Sequence, residues 1–297
     1  MYAKPTTPRS IGGIVDDGIR LYRDAFSQSW PLALAGQVCL FIPAMMIQYQ
    51  FRAVFNVKDP QAVLQVFKSP AIWLSYLVGA IAFIGFYNAV IVQLEAIAAD
   101  QPVPRGRALS VGFRLLPRTI LLGMVMFVGF VGVTFVAALL VGVVAGILTA
   151  VVGSTAAPLV GGVLGVGLSA IFLLVWGKVY LSHIALLVED AAVFKSVGIS
   201  WTVITGHWWR GAAVYSVAMI LVLVFYLLVA AINGSLAGLT LRNPFGAGTV
   251  IAQLVSFVGG TLLMTFIPAV LLALYHDLTL RKEGTDLAGR VNALAPQ

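Results

Sequence analysis

Apolar positions along this chain neither alternate nor recur at one-face helical spacing; they run on without interruption. The stretch TILLGMVMFVGFVGVTFVAALLVGVVAGILTAVV, residues 119 to 152, holds no charged side chain. Such a run lacks the period of two that a β-barrel strand needs, and it is long enough to cross a hydrocarbon layer about 30 Å thick as a helix. Six runs of this kind predict spans at residues 30–51, 71–98, 119–150, 157–188, 211–233 and 248–275. Only GSTAAP, Gly153 to Pro158, separates the third from the fourth, so these two are expected as an antiparallel hairpin. The fold class expected is all-α: a polytopic membrane protein of six transmembrane helices arranged as three hairpins, each preceded by an amphipathic interfacial helix. The whole chain, 1–297, reads as a single membrane domain, with a cytoplasmic amphipathic segment at 1–29, the bundle at 30–275 and a cytoplasmic tail at 276–297.

The polar segments between the runs carry a pattern of their own. Gly18-Ile19-Arg20-Leu21, Gly112-Phe113-Arg114-Leu115 and Gly198-Ile199-Ser200-Trp201 align ahead of the first, third and fifth spans, the last two each preceded by Ser-Val. In the third copy Phe194, Val197, Trp201, Ile204 and Trp208 recur at steps of three and four, one stripe along a helix. These segments read as helices lying in the cytoplasmic interface; the alternative is an extension of the span that follows. Pro31 and Pro117 predict a break before the span in two of the three copies. The even-numbered spans end alike, with Asp100, Asp190 and Asp277 expected at the water boundary.

Composition agrees with the membrane reading: 60% of residues are hydrophobic, 10% are charged, and the mean hydropathy is +1.00. Charge adds orientation. Fourteen of the 18 lysines and arginines fall on the side of the termini, which places both termini in the cytoplasm of a bacterial inner membrane by the positive-inside rule. The net charge of +7 is divided among four juxtamembrane segments, a distribution suited to anionic inner-leaflet phospholipids and not to nucleic acid. The N-terminus carries acids as well as bases before its first apolar run and does not read as a cleaved leader. The single cysteine, Cys39, lies inside a span and reads as a packing residue.

Three stretches, LYHDLTLRKEGTDL (Leu274 to Leu287), IGGIVDDGIRLYRDAF (Ile11 to Phe26) and SVGISWTVITGHWWR (Ser196 to Arg210), together resemble a broad bacterial six-span family. That family is similar to the membrane domain attached to some glycerophosphoryl diester phosphodiesterases, and many of its members are free-standing. The resemblance implies no enzymatic activity here, because the phosphodiesterase chemistry resides in a separate barrel of about 250 residues. Within the tail, Arg281 and Lys282 suit the C-terminal dipole of the sixth helix and the headgroups, and Gly284 reads as its stop.

The search for chemistry excludes more than it finds. WGKVY lacks the remaining residues of a phosphate-binding loop, the three histidines show no metal-ligand spacing, and no nucleophile motif occurs, so no catalytic residue, metal or cofactor is expected. The site candidates are polar groups within spans two and four: Glu95, Lys178 and His183, with Tyr180 and Asn88 as neighbours. A charge there is costly unless it is paired or reaches the surface, so Lys178 pairing with Glu95 is weighed against both groups snorkelling to the cytoplasmic face. Gly142, Gly146, Gly161 and Gly165 form small-residue faces for packing within the hairpin or for self-association. Trp201, Trp208 and Trp209, with Arg281 and Lys282, are expected as interfacial anchors. The function expected is that of a non-catalytic scaffold or accessory in an envelope or lipid-linked process, partnered by phospholipids and by a membrane protein or a second copy. The alternative is a carrier or channel for a small solute, peptide or lipid, with its polar site between spans two and four.

Overall fold

The computed structural model describes residues 2, 4–54, 66–152, 177–235 and 246–294. Among these there is no strand. The helices, in chain order, are α1 (Ile11–Val54), α2 (Pro70–Ala98), α3 (Arg105–Arg114), α4 (Leu116–Val152), α5 (Ser182–Val188), α6 (Val193–Ile204), α7 (Trp208–Ser235) and α8 (Ala247–Leu294). Five of them contain stretches long and apolar enough to cross a membrane: Ile11–Gln50, Pro70–Ala98, Leu116–Ile147, Trp208–Ser235 and Ala247–Gly284. The fourth expected span, including Gly161 and Gly165, lies outside the described residues except for the apolar segment Gly177–Val188.

The chain divides into two compact units, one formed by Met1–Leu116 with Ala212–Gln297 and the other by Pro117–Gly211. In the first, α1 packs on both α2 and α8. Glycines set how closely: a Cβ on Gly18 would stand 2.8 Å from the Val270 backbone, and one on Gly79 would collide with the Cys39 carbonyl oxygen. Helix α3 lies on α2 in the same manner. A Cβ on Gly112 would stand 2.6 Å from the Ala89 nitrogen, and the Asn88 side chain donates to the Gly112 carbonyl at 3.1 Å.

The expected break at Pro31 does not occur, since α1 runs unbroken from Ile11 through Pro31 and Pro43. A proline inside a helix costs about 3 kcal/mol in water, largely because the carbonyl four residues earlier loses its partner. For Pro31 that carbonyl belongs to Ser27, and Arg105 supplies the replacement donor, giving Nη2 to Ser27 O at 3.0 Å while its Nε reaches the adjacent Gln28 O at 3.1 Å. The first amphipathic segment is therefore an extension of the following helix. The second and third copies are separate helices. Leu115 parts α3 from α4 just before Pro117, and Thr205 to His207 part α6 from α7 with Gly206 at φ +87°.

Two boundary acids behave alike. Asp100 and Asp190 follow α2 and α5 in the left-handed region, at φ 55° and 46°, and the next N–H bonds back five residues, Gln101 to Ala96 at 2.8 Å and Ala191 to Leu186 at 3.2 Å. This is the Schellman closure, with aspartate where glycine is usual. Asp277 differs from these two in that it lies inside α8 with its side chain fully buried. Gly284 is no stop either, for α8 continues to Leu294. A glycine ends a helix only where the chain turns, and no Cβ clash or positive φ marks Gly284.

In the second unit, α4 is apolar all round and exposes Phe127, Val128, Phe135 and Leu140, a surface that belongs in hydrocarbon. Nothing stands within 4 Å of a Cβ placed on Gly142 or Gly146 among the described residues. Helix α6 turns Val193, Ser196, Ser200 and Val203 inward and leaves Phe194 (76%) and Trp201 (43%) exposed. The expected stripe is thus split: its first part faces away from the protein while Ile204 is buried.

Candidate functional site

At the end of the first unit where α2 finishes, ionisable side chains from four segments converge. Glu95, one turn from the end of α2, places Oε2 2.8 Å from Nε2 of His276 on α8, and Lys4 Nζ lies 3.4 Å from Oε1. The other ring nitrogen of His276 stands 3.3 Å from the Tyr2 hydroxyl. One tautomer satisfies all three groups: Nε2–H donates to the carboxylate and Nδ1 accepts the phenol proton. Burial, together with the nearby carboxylates of Asp17 and Glu95, pushes the Tyr2 phenol upward, so it stays protonated as that donor.

One residue further along α8, Asp277 carries a second knot. Its carboxylate accepts the Arg9 backbone N–H at 2.7 Å and Arg281 Nε at 2.8 Å, one turn on, while Arg281 Nη2 donates to the Arg9 carbonyl at 2.8 Å. Arg9 also meets Asp17 of α1 at 3.3 Å, and the Tyr2 backbone N–H donates to Asp24. Tyr2 and the segment from Lys4 to Arg9 are thereby tied to α1, α2 and α8, meeting Asp17 on the first, Glu95 on the second and Asp277 on the third. A buried charge is tolerated when its remaining lone pairs are filled, and here backbone amides and guanidinium groups fill them.

Of the residues expected as a site, Glu95 is in this cluster and Asn88 is used to hold α3. Glu95 and Lys178 belong to different units, and each has partners within its own. The Lys178 ammonium lies 4.3 Å from the centre of the Trp201 ring, and its backbone carbonyl accepts from Ser200 at 2.9 Å. Tyr180 stands beside Gly211, whose Cβ would be 3.0 Å from the phenol oxygen, and His183 lies within α5. Trp208 and Trp209 contact each other edge to face at 4.5 Å, with Trp209 78% exposed. Lys282 is exposed, whereas the Arg281 guanidinium is turned back onto Asp277 and the Arg9 carbonyl.

Tyr2, Lys4, Arg9 and His276 are not among the site residues expected from the sequence, and Asp277 is expected there only as a boundary acid. Two signals were present: adjacent titratable residues at the close of an apolar run, and the i,i+4 spacing of Asp277 with Arg281. Their partners lie more than 260 residues away for Arg9 with Asp277, which no local pattern encodes. Comparison of the chain with family models, with curated proteins and with solved structures finds no match.

Proposed function

We propose that this is a non-catalytic integral protein of the bacterial inner membrane, a scaffold or accessory in an envelope or lipid-linked process. In this reading it has six spans and both termini in the cytoplasm, and it belongs with the six-span family its tail resembles. The observation that carries the reading is how the ionisable groups at the end of α2 are used. Glu95, His276 and Tyr2, like Asp277, Arg281 and Arg9, are engaged with one another, and they join the N-terminal segment to three helices. That is an arrangement for holding helices in register. A carrier acting through spans two and four would need Glu95 to meet its solute, and Glu95 is engaged by His276 and Lys4.

The outward apolar residues of α6, Phe194 and Trp201, together with Trp209 at the start of α7, suit contact with phospholipid at the cytoplasmic interface. Basic residues spread over the juxtamembrane segments suit an anionic leaflet.

If Glu95 is structural, Glu95→Gln lowers the stability of the detergent-solubilised protein by about 1 to 3 kcal/mol, because the His276 donor and the Lys4 cation lose their charged acceptor. A group held ready for a solute would show the opposite, unchanged or higher stability, and that result would sink the scaffold reading. Orientation has its own check. In a Cys39→Ser background, Arg107→Cys and Glu283→Cys should both react with an impermeant thiol reagent only after the cytoplasmic face is opened. Reaction of the two from opposite faces would refute the layout.

A further inference from the structure

The far end of the first unit holds a second group of polar side chains, chemically unlike the first. Gln253 lies 23 residues before His276 on α8, roughly 35 Å along the helix axis. That distance exceeds the hydrocarbon thickness of about 30 Å, so this end meets the opposite boundary of the membrane. Here a cleft of about 550 Å3 opens between α1, α7 and α8. Its polar wall is Gln37 from α1, Asn233 from α7, and Thr249, Gln253 and Ser256 from α8; none of the lining residues among those described is charged.

These groups are partly satisfied. Gln253 donates to the Gln48 amide oxygen, Asn233 Nδ2 donates to the Ser256 hydroxyl at 3.1 Å, and that hydroxyl donates to the Ala252 carbonyl at 3.0 Å. Asn233 Oδ1 and the Thr249 hydroxyl are buried and have no hydrogen-bond partner among the described residues. Uncompensated polar atoms in an apolar bundle are costly, and a ligand with matching polar atoms relieves that cost.

What surrounds the cleft narrows the ligand. On the α1 side a groove of about 450 Å3 shares Phe41 and Met45 with it and continues past Ile42 and Met46 to Tyr49. Between α7 and α8 a second groove of about 450 Å3 is lined entirely by apolar residues, among them Phe225, Leu228 and Val258, and includes Leu254 and Val255, between Gln253 and Ser256. A wall of uncharged donors and acceptors, with one apolar groove and one largely apolar groove that ends at Tyr49 and Gln50, matches an amphipathic molecule with a neutral head. A phosphate or ammonium head would find no counter-charge among the described residues of this wall.

We infer that this cleft binds a lipid through an uncharged, hydrogen-bonding head such as a glycerol hydroxyl and its ester carbonyls, with the acyl chains lying in the two flanking grooves. The inference stands on the cleft alone and does not depend on the scaffold reading.

The test uses the full chain in mild detergent and dioleoylglycerol bearing a diazirine on one acyl chain. Photolabelling should fall within residues 37–50, 225–233 and 249–262, and unlabelled dioleoylglycerol should displace the probe at about one-tenth the concentration that dioleoylphosphatidic acid requires. Combining Asn233→Leu with Gln253→Leu should weaken displacement about tenfold, since two amides that address the head are lost. Ala252→Trp, which leaves every amide in place and fills the cleft, should abolish labelling there, and it decides the matter if the double variant fails to elute as a single species. Equal displacement by phosphatidic acid, equal labelling of α4 between Phe127 and Leu140, or labelling of Ala252→Trp like the parent would each overturn the inference.

Discussion

Asp277→Ala should destabilise the protein by about 3 to 5 kcal/mol, the range for removing one partner of a buried ion pair. The carboxylate is fully buried, and it is the acceptor for two donors at once, the Arg281 guanidinium and the Arg9 backbone amide. Alanine leaves both donors without it and opens a space that neither can fill. Asp277→Asn should cost roughly half as much, because a side-chain oxygen survives to accept one of the two bonds. The effect should also spread to the chain terminus: with the Asp277 anchor gone, the N-terminal strap loosens and trypsin should cut after Arg9 more readily than in the parent protein. SDS-induced unfolding in mixed micelles, followed by circular dichroism, measures the first effect, and limited proteolysis measures the second. A change below about 0.5 kcal/mol, the level of an ordinary surface substitution, would show that the strap does not depend on this carboxylate.

The second large effect is expected at Gly112. Gly112→Val should cost about 2 to 4 kcal/mol, because a Cβ there meets the Ala89 nitrogen at 2.6 Å and the Gly85 carbonyl oxygen at 2.7 Å, and backbone atoms in a helix cannot yield as a side-chain tip can. Moving α3 outward would also break the bond from Asn88 to the Gly112 carbonyl. The third copy of the repeat provides a control. Among the described residues nothing lies within 4 Å of a Cβ on Gly198, so Gly198→Ala should leave stability unchanged or raise it by up to about 1 kcal/mol through helix propensity. Equal losses at both positions, read by the same unfolding assay, would mean that the glycines act through chain flexibility and not through close approach.

These glycines show what a sequence repeat conveys and what it leaves out. Gly18, Gly112 and Gly198, aligned in the sequence, each lie in a helix. In two of them glycine lets the helix approach a neighbour: Gly18 meets Val270 on α8, and Gly112 meets Ala89 on α2. In the third, contact is made by the Ser200 hydroxyl on the Lys178 carbonyl, and no described residue stands within 4 Å of a Cβ on the glycine. Similar local chemistry therefore served different contacts, and only the neighbouring helix distinguishes them.

By itself the sequence determined that the chain is helical and built for a membrane, and it located most of the helices. Hydropathy and helix length are sums over neighbouring residues, so a run such as residues 119 to 152 declares itself without reference to the rest of the molecule. It also singled out Glu95, because an acid near the end of an apolar run stands out locally. Only the tertiary structure decided which groups Glu95 meets, and that the Asp277 side chain is buried against Arg9 and Arg281. It alone showed that Pro31 leaves α1 intact because Arg105, 74 residues away in the chain, donates to the carbonyl the proline frees. The uncharged cleft is of the same kind. Gln37, Asn233 and Gln253 are each an unremarkable amide in its own helix, and they form a site only because packing brings three distant stretches of chain side by side. Hydrogen bonds and ion pairs depend on separations of about 3 Å in space, a quantity that local composition does not encode.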